Sequence, residues 1–427
     1  MNNNLNSNSK ICKNSKRSIY ISNIAVVILL LYTYFSNIIV IPEIIWFLVP
    51  FIFLLYLGLK NGIVITKYWI AWIVLLIYTM FSSLMIGDIK YLSFSLSKLL
   101  LVSIMVLLTS SVIWISKFNK YSLAFSTIHL VITIFSVIMT NMFEKIFYLF
   151  LSGDQINITN AFISQGVYSG ISGQVGRNAF YFIIGIAILI GNIVESKIKN
   201  SKLQWLGVIV FIIGIILTGK RGFLIAVIIS ILVCLLYNVA IRNKSIMYNI
   251  IKYVIVSIVI SFIILRFIPQ ASVIINKFLS INGGDITSGR SELYTTAWNM
   301  FIENPIFGGG TGAFWNISGM SVHNVYLQIL AENGVVGFLV FIFAVIINLK
   351  LNFKMIKFTN KYQSSITVEE KNILNSNLFL QIFFVIYCIT GNPFYDNLFF
   401  VIYMLSITVT IVVKNKVEFK DEEKVCV

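Results

Sequence analysis

Apolar runs of about 20 residues recur along this chain from near residue 18 to near 413, and they limit its fold more than any other feature. A helix rises about 1.5 Å per residue, so each run matches the roughly 30 Å hydrocarbon layer of a bilayer. Twelve spans are expected, at 18–36, 39–59, 63–86, 95–116, 121–148, 179–195, 203–218, 222–240, 249–268, 323–349, 373–391 and 396–413. Composition agrees: 58% of residues are hydrophobic and 11% charged, and the mean hydropathy is +0.91. Soluble domains carry about 25% charged residues. The expected fold class is all-α, a polytopic membrane helical bundle of about 12 transmembrane helices, with a large external loop containing an amphipathic helix.

The polar stretch MNNNLNSNSKICKNSKR precedes the first span with no small-residue cleavage site behind it, so an uncleaved anchor is expected. Residues 1–17 and 414–427 read as tails flanking a membrane domain at 18–413. Cys12, Cys234, Cys388 and Cys426 fall on the tails or inside spans, a placement that suggests no extracellular disulfide framework.

The formal charge of +16 invites a nucleic-acid reading, but the basic residues are spread between spans, as the positive-inside rule produces. With the N-terminus cytoplasmic, 23 of the 32 Lys and Arg fall on inner segments, so both termini are expected in the cytoplasm and no nucleic-acid partner is expected. Lysine carries that bias, whereas four of the six arginines lie on the outer side: Arg177, Arg221, Arg266 and Arg290. Arg266 ends a span and reads as an interface anchor. The guanidinium is a planar fork that grips phosphate bidentately and does not deprotonate, so the other three hint at an external phosphate-bearing ligand.

Two outer segments are long, 152–178 and 269–322, while the inner connections are short. Function gathers on loops held by a rigid scaffold, which places it on the outer face. Within the second loop, Leu293, Ala297, Met300 and Phe301 recur at helix spacing after Ser288, a plausible cap, and ENP then stops the helix. An amphipathic helix at the outer membrane surface is expected there, with Arg290 at its start, where the helix N-terminus and the guanidinium together favour anions. GGGTGAF offers backbone amides without side-chain hindrance, which suits the approach of a phosphate or sugar. TGKRGF at 218–223 is a tight outer turn, and Lys220 and Arg221 form a fixed cationic spot on it.

In SVHNVYLQILAENGVVGF, His323 and Asn324 open a span on the outer side, and Asn324, Gln328 and Glu332 form a polar stripe one helical turn apart. Polar residues in a span face the bundle interior or a wet cavity. A lone histidine is ordinarily a structural residue, but the basic loop before it and the polar stripe after it favour a functional reading. Gly334 and Gly337 allow another helix to approach closely.

These segments resemble the bacterial O-antigen ligase and O-antigen or capsular polysaccharide polymerase superfamily, membrane glycosyltransferases of the C-type fold. SGRSELYTTAWNMFIENPIFGGGTGAF, HNVYLQILAENGVVGF and TGKRGF carry the similarity, over about residues 210–340. The resemblance implies glycan transfer from undecaprenyl pyrophosphate to an acceptor hydroxyl, at the outer face of the bacterial cytoplasmic membrane. It assigns Arg221 and Arg290 to the pyrophosphate, His323 to the acceptor hydroxyl or phosphate, and Arg177, Lys220 and Asn324 to substrate binding. A polymerase of surface polysaccharide is the first reading. A ligase moving finished glycan to a lipid A core or a protein is the second, and a transporter or flippase the third. The implied partners are lipid-linked oligosaccharide, membrane lipids, a chain-length regulator and a flippase. No cofactor is expected, and the chain contains no Asp-x-Asp to hold a divalent metal.

Overall fold

The computed structural model describes residues 20–63, 65–86, 89–111, 114–195, 202–242, 290–361 and 366–425. Among them the chain is helical and contains no strand. The helices are α1 (Tyr20–Phe35), α2 (Glu43–Asn61), α3 (Lys67–Leu84), α4 (Ile89–Leu108), α5 (Trp114–Ile138), α6 (Thr140–Phe147), α7 (Gly153–Ser164), α8 (Val175–Glu195), α9 (Lys202–Leu217), α10 (Arg221–Arg242), α11 (Ser291–Glu303), α12 (Ala313–Ser318), α13 (Val325–Lys361), α14 (Val368–Tyr387) and α15 (Asn397–Val425).

Of the described helices, eight are long and apolar enough to cross a membrane, and α1 and α9 are shorter apolar helices. The span expected at 373–391 falls on α14, which is not one of those eight and carries Glu369 and Glu370 in its first turn. The span expected at 249–268 lies outside the described residues, as do Arg266 and Ser288. The span expected at 121–148 instead begins at Trp114 and ends at Ile138, because Met139 leaves helical geometry and a separate helix starts at Thr140. The 152–178 segment, expected as a loop, is largely helical. Ser152 and Gln155 form a reciprocal capping box that starts α7, and α8 already begins at Val175.

The core runs the length of the bundle. α8, α14 and α15 form its centre, with Tyr181, Phe182, Ile183, Phe379, Phe400 and Leu405 buried. At one end, Gln155 Nε2 donates to the Asn37 carbonyl at 3.1 Å, Tyr168 N–H to Leu217 at 3.0 Å and Val325 N–H to Cys388 at 2.8 Å. These contacts join the segments that the charge pattern assigns to the outer face. At the opposite end, Tyr237 donates to the Phe353 carbonyl at 2.7 Å and Lys416 pairs with Glu370. The alternation of spans expected from sequence is therefore kept where the helices are described.

α13 is broken at Gly334, whose φ of 62° and ψ of −168° are not helical. A break frees backbone groups that need partners away from water. Residues 305–310 supply them: Gly309 and Gly310 N–H donate to the Ala331 and Glu332 carbonyls, both at 2.9 Å, while Val335 N–H donates to Pro305 O at 2.9 Å and Val336 N–H to Ile306 O at 3.2 Å. The two backbones approach so closely that a Cβ on Gly334 would lie 2.2 Å from Ile306 O, and one on Gly308 would lie 2.3 Å from the Glu332 carbonyl carbon. The glycine run is therefore built for backbone against backbone. The Gly309 and Gly310 amides are engaged by α13, so they do not form the open phosphate or sugar cradle expected from GGGTGAF.

α11 departs from expectation in its packing. Ala297 and Met300 bury with Phe314, Val322 and Ala331, so the helix docks on α12 and the upper part of α13. Its other side exposes Trp298 and Ile302, continued by Ile306 and Phe307, residue types suited to a membrane interface.

Candidate functional site

A cavity of about 780 Å3 opens at the end of the bundle where the starts of α2, α4 and α8 meet residues 311–323 and 392–397. Its walls come from α1, α2, α4, α8, the α11–α13 connection and the α14–α15 turn. Arg177, His323 and Lys90 line it together with Glu43, Glu332 and Asp396, and Tyr91, Phe94, Trp315 and Tyr395 supply aromatic surface.

His323 is half-buried and has a φ of 59°, the only positive φ on a non-glycine residue among those described. Such a conformation is sparsely populated and persists only where the surroundings enforce it. Two neighbours enforce it here. Asn324 caps α13 by accepting from Leu327 N–H at 3.1 Å, and Val325 N–H is tied to the Cys388 carbonyl. The backbone thus turns left-handed just before the helix and presents the imidazole at the cavity wall. The Asn324 side chain is occupied as a cap.

Lys220 and Arg290 reach the same place from other elements. Arg290 occupies the position just before α11 and donates from Nη1 to the Thr390 carbonyl at 2.8 Å. Lys220 precedes α10, with its Cε beside the Cα of Gly176 at the start of α8. Arg221, half-buried, is the first residue of α10, and the next residue, Gly222, lies against Thr390. The Thr390 turn therefore ties the TGKRGF turn to Arg290.

Electrostatics report the same proximity. Burial first, then the Arg290 guanidinium and the Lys220 ammonium, push the His323 pKa below its usual 6.5. Lys220 keeps solvent-exposed surface, yet the protein packed around its ammonium and then Arg290 lower its pKa also. His323 is consequently neutral at neutral pH and able to accept a proton, beside cations that favour an anion.

Arg177 lines the cavity on another side. One terminal nitrogen donates to Asn37 Oδ1, and its buried Nε has no hydrogen-bond partner. Of the six residues expected from sequence, His323, Arg290 and Lys220 form one electrostatic cluster, Arg177 shares the cavity with His323, Arg221 adjoins the Thr390 turn, and Asn324 caps a helix.

Glu332 is fully buried while still lining the cavity. Its Oε1 accepts from Gln328 Nε2 at 3.1 Å, and its Oε2 accepts from the Tyr395 hydroxyl at 3.0 Å. Burial and the neighbouring carboxyl hold the Tyr395 phenol well above its usual pKa, so it remains a donor. The polar stripe of α13 therefore faces the bundle interior, as expected, with Gln328 and Glu332 on the cavity.

Residues 206–342 match the O-antigen ligase family. No curated protein matches the chain. The matched stretch, about a third of the chain, contains Lys220, Arg221, Arg290, His323 and Glu332, and it is consistent with the O-antigen ligase and polymerase superfamily. Together with the spanning helices, the match supports a membrane protein with a ligase- or polymerase-type function and is consistent with a glycosyltransferase-like enzyme.

The rest of the site comes from outside that stretch and carries no motif. Glu43, Tyr91, Tyr395, Asp396 and Asn397 line the cavity from helix ends. Lys98, one turn below Phe94 in α4, is 1% exposed and donates to Asn397 Oδ1 at 2.5 Å. Sequence reasoning had one usable signal here, an ionisable side chain inside an apolar span. Among the described residues no group of three His, Cys, Asp or Glu could hold a metal ion.

Proposed function

We propose that this protein is a surface-polysaccharide polymerase. It transfers glycan from a polyprenyl-pyrophosphate donor to the acceptor sugar of another repeat unit, with the cavity at the outer face of the bacterial cytoplasmic membrane and both termini in the cytoplasm. The observation that carries the reading is His323 on the cavity wall with the cations of Lys220 and Arg290 near it, inside the stretch that matches the O-antigen ligase family.

The chemistry follows from what each group is able to do. The acceptor hydroxyl oxygen forms a bond to the anomeric carbon of the donor. The bond from that carbon to the phosphate oxygen breaks, and its electron pair leaves with the polyprenyl pyrophosphate. The hydroxyl proton passes to the neutral imidazole of His323. Lys220, Arg221 and Arg290 stabilise the negative charge on the departing pyrophosphate, and Arg177 on the cavity wall helps to hold the donor. Preorganised cations in a partly water-excluded site need no reorganisation as charge develops, which is why the fixed turns at Thr390 and Gly222 matter. The reaction is metal-independent in this proposal.

A second reading, ligation of finished glycan to a lipid A core or a protein, is favoured by the description of the matched family. Deleting the gene and separating surface polysaccharide on a gel tests both. A polymerase leaves single repeat units and no ladder. An intact lipid-linked polymer that never reaches its acceptor instead indicates a ligase, and a normal ladder on the surface contradicts both.

A further inference from the structure

The lysine beneath the cavity floor has no part in the chemistry above. Lys98 is buried in α4 with its ammonium 4.1 Å from the ring centre of Phe94 and 4.8 Å from that of Phe400. Burying a cation costs several kcal/mol even after relaxation, so a chain keeps one where it is compensated or used. Its hydrogen-bond acceptor is Asn397 Oδ1, at 2.5 Å. An ammonium has donors only, so this bond fixes the orientation of the Asn397 amide. Asn397 Nδ2 must then point the other way, where it donates to Glu43 Oε1 and lies 3.3 Å from Ser97 Oγ. The Tyr32 hydroxyl donates to the same Glu43 oxygen at 2.5 Å.

Glu43 is thereby held by one oxygen from two sides while it lines the cavity as an exposed residue, and among the described residues its Oε2 has no hydrogen-bond partner. Aromatic surface stands in the same cavity: Phe94 stacks on Tyr395 with ring centres 5.9 Å apart, and Trp315 is 41% exposed. Sugar rings offer hydroxyl donors at their edges and apolar C–H faces. A fixed carboxylate oxygen among aromatic rings matches both.

We propose that Glu43 is a sugar-hydroxyl-binding residue of the cavity, and that Lys98 is a positioning residue acting on it through Asn397. The ligand class is a hydroxyl-bearing sugar unit of the glycan. The inference rests on the transferase reading for its place in the reaction, but glycan binding at Glu43 is testable without it.

The test uses the full-length protein in detergent and two probes. One is the oligosaccharide released by mild acid from lipid-linked repeat units of the host, with binding followed by calorimetry. The other is the intact lipid-linked repeat unit, with initial rates of extension followed against concentration. Glu43→Gln is expected to weaken oligosaccharide binding about tenfold and to raise KM by a similar factor, with kcat within about threefold of wild type. Lys98→Met, near in volume and free of the burial cost, is expected to give a smaller rise in KM. In the Glu43→Gln background it should add less than about twofold, because the two act through one contact. Wild-type oligosaccharide binding that Glu43→Gln leaves unchanged overturns the proposal, as does a wild type that binds no oligosaccharide. Fully additive effects of the two substitutions overturn the role of Lys98. A wild type that binds oligosaccharide through Glu43 but extends nothing supports the subsite and instead contradicts the transferase reading. If Lys98→Met fails to fold, Glu43→Gln and Glu43→Ala decide the subsite alone.

Discussion

The two poles of the cavity are built in different ways. At the cationic pole, Lys220, Arg290 and His323 each sit on a connection just outside a helix, and backbone carbonyls and a helix cap hold them in place. At the carboxylate pole, Glu43 opens a helix and is braced from below by Asn397 and the buried Lys98, side chain against side chain. The first arrangement gathers cations on turns, where the pyrophosphate of the proposed reaction would enter and leave. The second fixes one oxygen in a rigid polar network, which suits discrimination among hydroxyls. The proposed reaction divides its labour accordingly, with chemistry at the first pole and recognition at the second.

Substitutions at the two poles should therefore fail differently. The largest effect is expected from His323→Gln. An amide keeps local hydrogen bonds but cannot take a proton at neutral pH, so extension of lipid-linked repeat units should slow by roughly a hundredfold to ten-thousandfold at matched expression. A near-normal rate would reduce His323 to a strained structural residue and dissolve the contrast between the poles. Glu332→Gln should do less harm, because its two hydrogen-bond neighbours position it as part of the wall.

Arg290→Lys comes next. A point charge cannot reproduce both the bond to the Thr390 carbonyl and a bidentate grip on phosphate, so loss of one charge-assisted contact, roughly 1.5–3 kcal/mol, should lower kcat/KM about ten- to a hundredfold. Full activity in the lysine variant would make Arg290 a brace only. The topological basis of the comparison is checked by labelling spheroplasts with an impermeant thiol reagent. Cysteine at Ser164, exposed at the end of α7 on the cavity side, should react, and cysteine at Lys357, exposed near the far end of α13, should not. The reverse pattern would place the cavity in the cytoplasm. The smallest effect is expected for Asn324→Ala, which removes a helix cap and should cost about 1 kcal/mol of stability with little change in rate. A rate loss larger than the stability loss would return Asn324 to substrate binding.

The cationic pole was legible in the sequence because it breaks a rule. Arginines on the side that the charge pattern assigns to the outside stand out against a lysine bias on the other side, and a polar stripe stands out in an apolar span. The spans were legible for the same reason, since hydrocarbon thickness sets their length. Helix ends were less so: the expected span ran on past Met139 through Thr140, Asn141, Glu144 and Lys145, whose polarity marks the separate helix, and Gly334 breaks α13 while the apolar pattern continues through it. GGG at 308–310 misled in a specific way. Glycine marks close approach of something to backbone, and only the fold shows that here the partner is α13. The carboxylate pole was not visible because its members lie about 300 residues or more apart in sequence from α2 and α4 to α15, and each alone resembles an ordinary helix-end polar residue. Lys98, a charge inside an apolar span, was a usable signal that the sequence reading did not take up.

The central claim is that the neutral His323 imidazole, held beside cations, takes the acceptor proton. Initial rate of lipid-linked repeat-unit extension against pH, for wild type and His323→Gln, tests it most directly. Because burial, Arg290 and Lys220 lower its pKa below 6.5, the imidazole stays neutral through the neutral range and gains its proton only in more acidic solution. Wild-type kcat should accordingly be flat around neutrality and fall only as pH drops through that lowered pKa, and His323→Gln should be slow with no such acid limb. An acid limb unchanged in His323→Gln, at a rate close to wild type, would contradict the account.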